Sequence, residues 1–309
     1  MSNALIITEQ VAVMLLLIAC GYLIVKIKWL GQAGIEDLNQ ILLYLVMPLM
    51  VIELLNKPHQ PEHTTNLLLA LGFAFIAHLL GTWLSKAFFF KEVPDAKAVL
   101  RSASVLSNSG FMSIPLVDKL VGSEGTLYLV PYLLIFYVMT WTFGIRTMEP
   151  GSRQPSFKKL LLNPTIIAIT LGLIMYVAGF TLPGPLSQVV SSLAATNTPF
   201  AMLLIGAQIA MMRPSFKPST SVWKLIAVRN VLIPLILLPI ILALTDNKAL
   251  IYGAIIPAAA PTAATVVLFA TRFKRDIKLA TETLFHTTIW SIVTLSGIVW
   301  LTELLIGVI

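Results

Sequence analysis

Two stretches of this chain combine residue types that could hold an anion without an ionised side chain of their own. The first reads S-N-S-G-F-M-S-I-P from Ser107 to Pro115, and the second reads P-A-A-A-P-T from Pro257 to Thr262. Asn108 and Ser109 offer side-chain hydrogen bonds, Gly110 allows close backbone approach, and Pro115, Pro257 and Pro261 remove N–H donors and break helices. Where a helix restarts after a break, its first N–H groups are free and its dipole places partial positive charge there, which attracts anions. If the two restarts meet, a carboxylate gains both ends, with Thr262 and Thr265 as the polar groups of the second stretch. The plainer alternative is a Gly/Pro kink that serves packing alone.

The elements carrying these stretches belong in a bilayer. Of 309 residues, 57% are hydrophobic and only 11% charged. Apolar stretches of about 20 residues, enough to cross roughly 30 Å of hydrocarbon, follow one another with short loops. Ten are expected, near 5–25, 38–55, 66–90, 98–118, 126–148, 162–180, 187–211, 222–244, 249–270 and 279–302. An unpaired backbone group in hydrocarbon costs several kcal/mol, so irregular backbone at that depth survives only under cover of protein or beside a water-filled cavity. A matched pair of breaks therefore points to a transport site.

Net charge +7 does not mark a nucleic-acid surface, because the basic residues follow loop parity. The odd loops hold seventeen Lys/Arg, the even loops only Lys57, Lys119 and Lys248, and Arg229 is left inside a helix. Cytoplasmic loops are the ones enriched in Lys and Arg, so a multi-pass protein of the bacterial cytoplasmic membrane with both termini outside is predicted. The single cysteine, Cys20, excludes an internal disulfide framework. Leu17 to Cys20 looks like a lipoprotein cleavage site, but Glu9 precedes it, no basic n-region does, and the apolar run continues to Val25. A buried thiol in an uncleaved first helix is the expectation.

Sliding the second half onto the first by 151 positions aligns Gly21 with Gly172, Pro48 with Pro199, His78 with Arg229, and the break at 107–115 with 258–266. Two five-helix repeats, 1–148 and 159–309, are expected around a cytoplasmic linker at 149–158. An odd number of crossings per repeat inverts one copy relative to the other.

Asn39 to Pro48, S-N-S-G-F-M-S-I-P-L, N-T-P-F-A-M-L-L-I-G-A from Asn197 and P-A-A-A-P-T resemble the auxin efflux carrier family, in their order as well as their kind. The resemblance covers essentially the whole chain and is strongest around Asn108, Gly110 and Pro115. That family includes plant auxin exporters and bacterial permeases proposed for malonate, malate and similar acids. By resemblance the fold is all-α and similar to that of sodium/proton antiporters and bile acid symporters. Helices one, two, six and seven would form a panel, and three to five with eight to ten a moving core. Broken helices four and nine would cross and hold the substrate. Asn39, Tyr44, Asn197 and Thr198 then face the crossing from the panel.

Three further sites carry charge or titratable groups at membrane depth. Arg229 lies about 10 Å into helix eight at 1.5 Å per residue, where a charge costs from about 3 to more than 10 kcal/mol. It is an attractor for the anion, a structural tether, or a snorkelling side chain. His78 is a packing residue or a coupling group. Glu282 and His286, four apart on one helix face, are a proton-coupled pair or an ordinary interfacial one.

The expected activity is secondary transport of a small mono- or dicarboxylate by alternating access. A cation/proton antiporter would want an aspartate inside the membrane, yet Asp37, Asp95, Asp118, Asp246 and Asp276 fall at helix ends or in loops. A passive anion channel stays open as an alternative, as does a homodimer. No metalloprotease, hydrolase or nucleotide-binding motif and no Cys/His metal cluster is present, so neither an enzyme nor a cofactor or metal is expected. A negative charge leaving an inside-negative cell gains about 2.3 kcal/mol per 100 mV. Export therefore needs no coupling ion, whereas uptake requires protons or sodium.

Overall fold

The computed structural model describes residues 3–149, 151, 161–212, 215 and 217–307. Among them the regular elements are all helices: α1 (Asn3–Lys26), α2 (Gln32–Leu55), α3 (Glu62–Phe88), α4 (Pro94–Val105), α5 (Ser109–Met148), α6 (Pro164–Val177), α7 (Gly184–Ala195), α8 (Asn197–Met212), α9 (Thr220–Leu242), α10 (Lys248–Ala259), α11 (Thr265–Arg272) and α12 (Ile277–Ile306). Seven segments are long and apolar enough to cross a membrane: α1, α2, α3, α5, α7 joined to α8, α9 and α12. Helices α6 and α10 are apolar but shorter. Of the expected linker 149–158, only Glu149 and Gly151 lie within the described residues.

Local chemistry explains where the helices start. Asn163, Ser219, Asn247 and Asp276 accept backbone N–H bonds at the openings of α6, α9, α10 and α12, filling valences the first turn leaves empty. Pro94 and Pro164 open α4 and α6, where a missing N–H costs nothing. Inside the helices, prolines have a different effect. Three π-helical turns, Leu42–Val46, Ser109–Ser113 and Ala227–Leu232, each end two residues before a proline: Pro48, Pro115 and Pro234. Each proline denies a donor to the carbonyl four residues back, and the widened turn accommodates the mismatch. A fourth π turn, Thr140–Gly144, has no such proline.

The 40 residues of α5 would span about 60 Å, twice a bilayer core. Its backbone leaves helical geometry at Gly122, with φ 68° and ψ −157°, so the segments expected at 98–118 and 126–148 are joined by a kink. The first break falls at 106–108, ahead of the π turn, and the second begins at Ala260, not at Pro257, which stays within α10. Pro261 restricts the residue before it to extended backbone, and Ala260 has ψ 149°.

Helices α1 and α8 meet backbone to backbone. A Cβ on Gly206 would lie 1.9 Å from the Ile18 carbonyl oxygen, and one on Gly21 would lie 2.1 Å from that of Leu203. The end of α2 packs on α6 through a side chain instead, with Leu55 against Gly172. Cys20 lies in the uninterrupted α1 but is exposed, which corrects the expectation of a buried thiol. On a helix whose buried positions are Ile7, Val11, Met14, Ile18 and Gly21, Cys20 falls on the opposite face.

The interhelical loops gather at two ends. At one end, Asn56 bonds Ser187, His63 bonds Tyr176, Lys57 bonds Ser123 and Asn247 bonds Glu124. The first described residues join this end, since Asn3 bonds both Glu303 and Tyr252. At the other end, Ser221 donates to Glu92, and Arg275 binds Asp95 and the Met148 carbonyl.

Candidate functional site at the crossing of two broken helices

Both breaks are buried, and they pair with each other. The Asn108 N–H donates to the Pro261 carbonyl at 2.7 Å and the Ala263 N–H to the Leu106 carbonyl at 2.9 Å, making an antiparallel bridge between Ser107 and Thr262. Backbone polar groups that the two breaks would otherwise orphan thus satisfy each other across the chain. The Thr262 hydroxyl donates to the Ala103 carbonyl, and its N–H donates to the Thr287 hydroxyl oxygen.

The bridge sorts the helix ends by sign. Arg229, 1% exposed, spreads its guanidinium over the C-terminal carbonyls of the two helices that stop at the breaks. Its Nη1 reaches Ser104 of α4 at 3.2 Å, Nη2 reaches Pro257 and Ala258 of α10 at 3.3 and 2.5 Å, and Nε reaches Ala260 at 3.0 Å. These carbonyls form the negative ends of the helix dipoles. The positive ends, the starts of α5 and α11, both line a cavity of about 310 Å³ through Asn108, Gly110 and Phe111 on one side and Ala263, Ala264 and Thr265 on the other.

Asn108 is 2% exposed and lines this cavity, and its amide nitrogen has no hydrogen-bond partner. An unpaired buried amide costs about 1–3 kcal/mol. The Ser107 hydroxyl beside it is buried and unpartnered as well. Ser109 is fully buried, with a long 3.5 Å contact to the Ser107 carbonyl. Asn197 donates to the Gly110 carbonyl at 3.1 Å from α8, while Asn39 and Tyr44 of α2 line the cavity. A Cβ on Gly110 would lie 2.7 Å from the tip of Met47.

Not every residue marked in the sequence reaches this cavity. Thr198 and Pro115 line a second one, of about 490 Å³, at the end of the molecule where Lys57 meets Ser123. Burial lowers the pKa of Lys57 there, opposed by the carboxylates of Asp118 and Glu53. Pro257 and Pro261 act through their carbonyls. His78 bonds the Ala74 carbonyl through Nδ1 and packs its ring 4.9 Å from Tyr132. Glu282 and His286 both hold the backbone of Ser215, the first accepting its N–H and the second bonding its carbonyl, so they clamp a loop.

Sequence reasoning missed the far wall. Phe136, Tyr137, Thr140 and Trp141 come from α5, and Glu36 and Arg272 flank the same cavity from α2 and α11. The pattern 136, 137, 140, 141 marks one helix face, and the hydroxyls of Tyr137 and Thr140 within an aromatic stripe were the available signal.

An all-helical molecule with membrane-length helices and a cavity lined by the starts of two broken ones has the build of a membrane transporter. The sequence model of the membrane transport protein family matches residues 6–299, and the chain belongs to that family, the auxin efflux carriers. It is a multi-pass membrane protein and not an enzyme. An uncharacterized transporter of Methanothermobacter thermautotrophicus is 23% identical over 297 residues, covering 93% of this chain and 96% of its own. A Rhizobium meliloti protein with the provisional name malonate transporter is 23% identical over 301 residues, covering 92% of each chain. An uncharacterized transporter of Methanocaldococcus jannaschii is 23% identical over 317 residues, covering 95% of this chain and 98% of its own.

Proposed function

We propose that this protein is a secondary transporter of a small organic anion, a mono- or dicarboxylate, that works by alternating access at the crossing. The observation that carries this reading is the cavity formed by two helix starts and the unpartnered Asn108 amide. Its volume falls at the small end of the range for ligand pockets, as a compact acid requires. The carboxylate accepts from Asn108 and from the first N–H groups of α5 and α11. The name of the Rhizobium relative agrees with a dicarboxylate.

In this reading the chain crosses a prokaryotic cytoplasmic membrane ten times as two inverted five-helix repeats, with both termini outside. Support comes from the kink at Gly122, which divides α5 in two, and from the pairings α1 with α8 and α2 with α6. These would exchange under a 151-residue shift between halves. The segregation of loop contacts to two ends agrees with the parity of the basic residues. Among the described residues lining this cavity the one carboxylate is Glu36, toward the basic end and away from the two breaks, which supports an anion carrier over a cation/proton antiporter.

The test is counterflow with radiolabelled malonate in proteoliposomes, beside thermal stabilisation of purified protein by a panel of mono- and dicarboxylates. A carrier accumulates label transiently against unlabelled internal malonate. A channel equilibrates without the overshoot, and stabilisation by no acid in the panel would sink the proposal.

A further inference from the structure

A second groove has no part in the crossing. It is about 830 Å³ and runs between α1, α8 and α12, with walls that include Leu15, Tyr22, Ile209 and Ile289. The three helices explain its shape. At the Asn3 end, α1 and α12 are tied together by Thr8 to Ser296 at 2.9 Å and by the Asn3 N–H to Glu303 at 3.5 Å. Toward the Lys26 end no such bond is made among the described residues, while α1 is held to α8 by the Gly21 and Gly206 contacts. The groove lies between α12 and the α1–α8 pair at this end, with Ala19 and Leu23 on its exposed rim.

Lys26 closes one end of the slot. Its ammonium lies 5.1 Å from the centre of the Tyr22 ring and has no carboxylate partner among the described residues. A tyrosine beside a lysine is the pairing found where a helix leaves hydrocarbon for headgroups. From Leu15 to Lys26 the slot extends about 16 Å at 1.5 Å per residue, close to half of the roughly 30 Å hydrocarbon core. Apart from Tyr22 and Lys26 at that end, the wall is apolar except for Thr288, whose buried hydroxyl lacks a partner.

We propose that this groove binds one anionic phospholipid from the leaflet on the Lys26 side, with its phosphate on Lys26 and one acyl chain laid along α1. Length matches a single leaflet, the wall is apolar, and the one charge complements a phosphate. The lipid would wedge between α12 and the α1–α8 pair. The proposal rests on membrane insertion and not on the substrate.

Native mass spectrometry of detergent-purified protein titrated with dioleoylphosphatidylglycerol or dioleoylphosphatidylcholine tests it. Wild type should retain the anionic phosphatidylglycerol about fivefold better than the zwitterionic phosphatidylcholine, the factor one surface lysine supplies toward an anionic lipid. Lys26→Gln should abolish that preference while retaining some lipid, and Lys28→Gln, outside the groove, should leave it intact. Ala19→Trp, which fills the slot, should lower retention of both lipids. Equal retention of the two by wild type, or undiminished retention by Ala19→Trp, overturns the proposal. So does a lipid-free wild-type dimer that Ala19→Trp dissociates, since the groove would then be a self-interface.

Discussion

At the scale of residues, the two breaks satisfy each other's backbone while the Asn108 amide nitrogen and the Ser107 hydroxyl beside it are left without partners. Asn108 is buried with a free amide nitrogen, whereas the backbone around it is bonded to Pro261 and Ala263 of the other break. Asn108→Ala should therefore weaken carboxylate binding and leave the fold intact. Losing a hydrogen bond to a charged partner costs roughly 1.5–3 kcal/mol, at least about a tenfold loss in affinity, readable by titration calorimetry with the acid that stabilises wild type best. Unchanged affinity would remove Asn108 from the site. Arg229 answers to a different logic. Its donors are taken by four carbonyls, so a guanidinium fork is needed and a point charge will not replace it. Arg229→Lys should lose folded yield nearly as badly as Arg229→Gln, measured by size-exclusion chromatography of the solubilised protein. Losses for mono- and dicarboxylates should be equal, because the charge acts on helix ends and not on the ligand.

At the scale of elements, α1 and α8 make the closest glycine contacts among the described residues. With Cβ atoms forbidden at both Gly21 and Gly206, the two helices pack through their backbones, as small residues permit in membranes. Gly206→Ala should force them apart and destabilise the protein by about 1–3 kcal/mol, the usual penalty of overpacking. Gly297→Ala, where nothing lies within 4 Å, should be neutral or mildly stabilising. Thermal unfolding of both variants in one detergent checks the pair. Similar melting temperatures would mean that α1 and α8 separate more easily than their contact implies.

For the whole molecule, two opposed faces and a site between them are what alternating access needs. Single cysteines replacing Glu62 and Thr181, both exposed, should react with an impermeant maleimide from outside the cell, and those replacing Gln32 and Lys274 only after permeabilisation. A reversed label at any of the four breaks the proposed orientation. Ser152, equally diagnostic by the parity of the basic loops, lies outside the described residues. The same division of faces separates the two cavities. Thr198 and Pro115 line one and Asn39 and Tyr44 the other, with Gly110 and Asn197 bonded between them.

The sequence by itself determined the class, the family and the places where helices break. Hydropathy over bilayer length, loop charge and proline each act locally, and each leaves a trace in a short window of residues. It singles out Asn108 and Gly110 because they fall in one polar, proline-ended interruption of an apolar run. Tertiary structure alone decided what those residues do. Whether Arg229 faces the ligand or the carbonyls of Ser104 and Pro257 depends on where α4 and α10 end relative to α9, and no spacing along the chain encodes that distance. The same holds for Glu282 and His286, whose shared partner Ser215 is about 70 residues away in sequence. The aromatic wall of α5 was hidden for another reason. Ring side chains on an apolar helix look identical whether they face lipid, a packed neighbour or a cavity, and only the position of the opposing helices distinguishes the three.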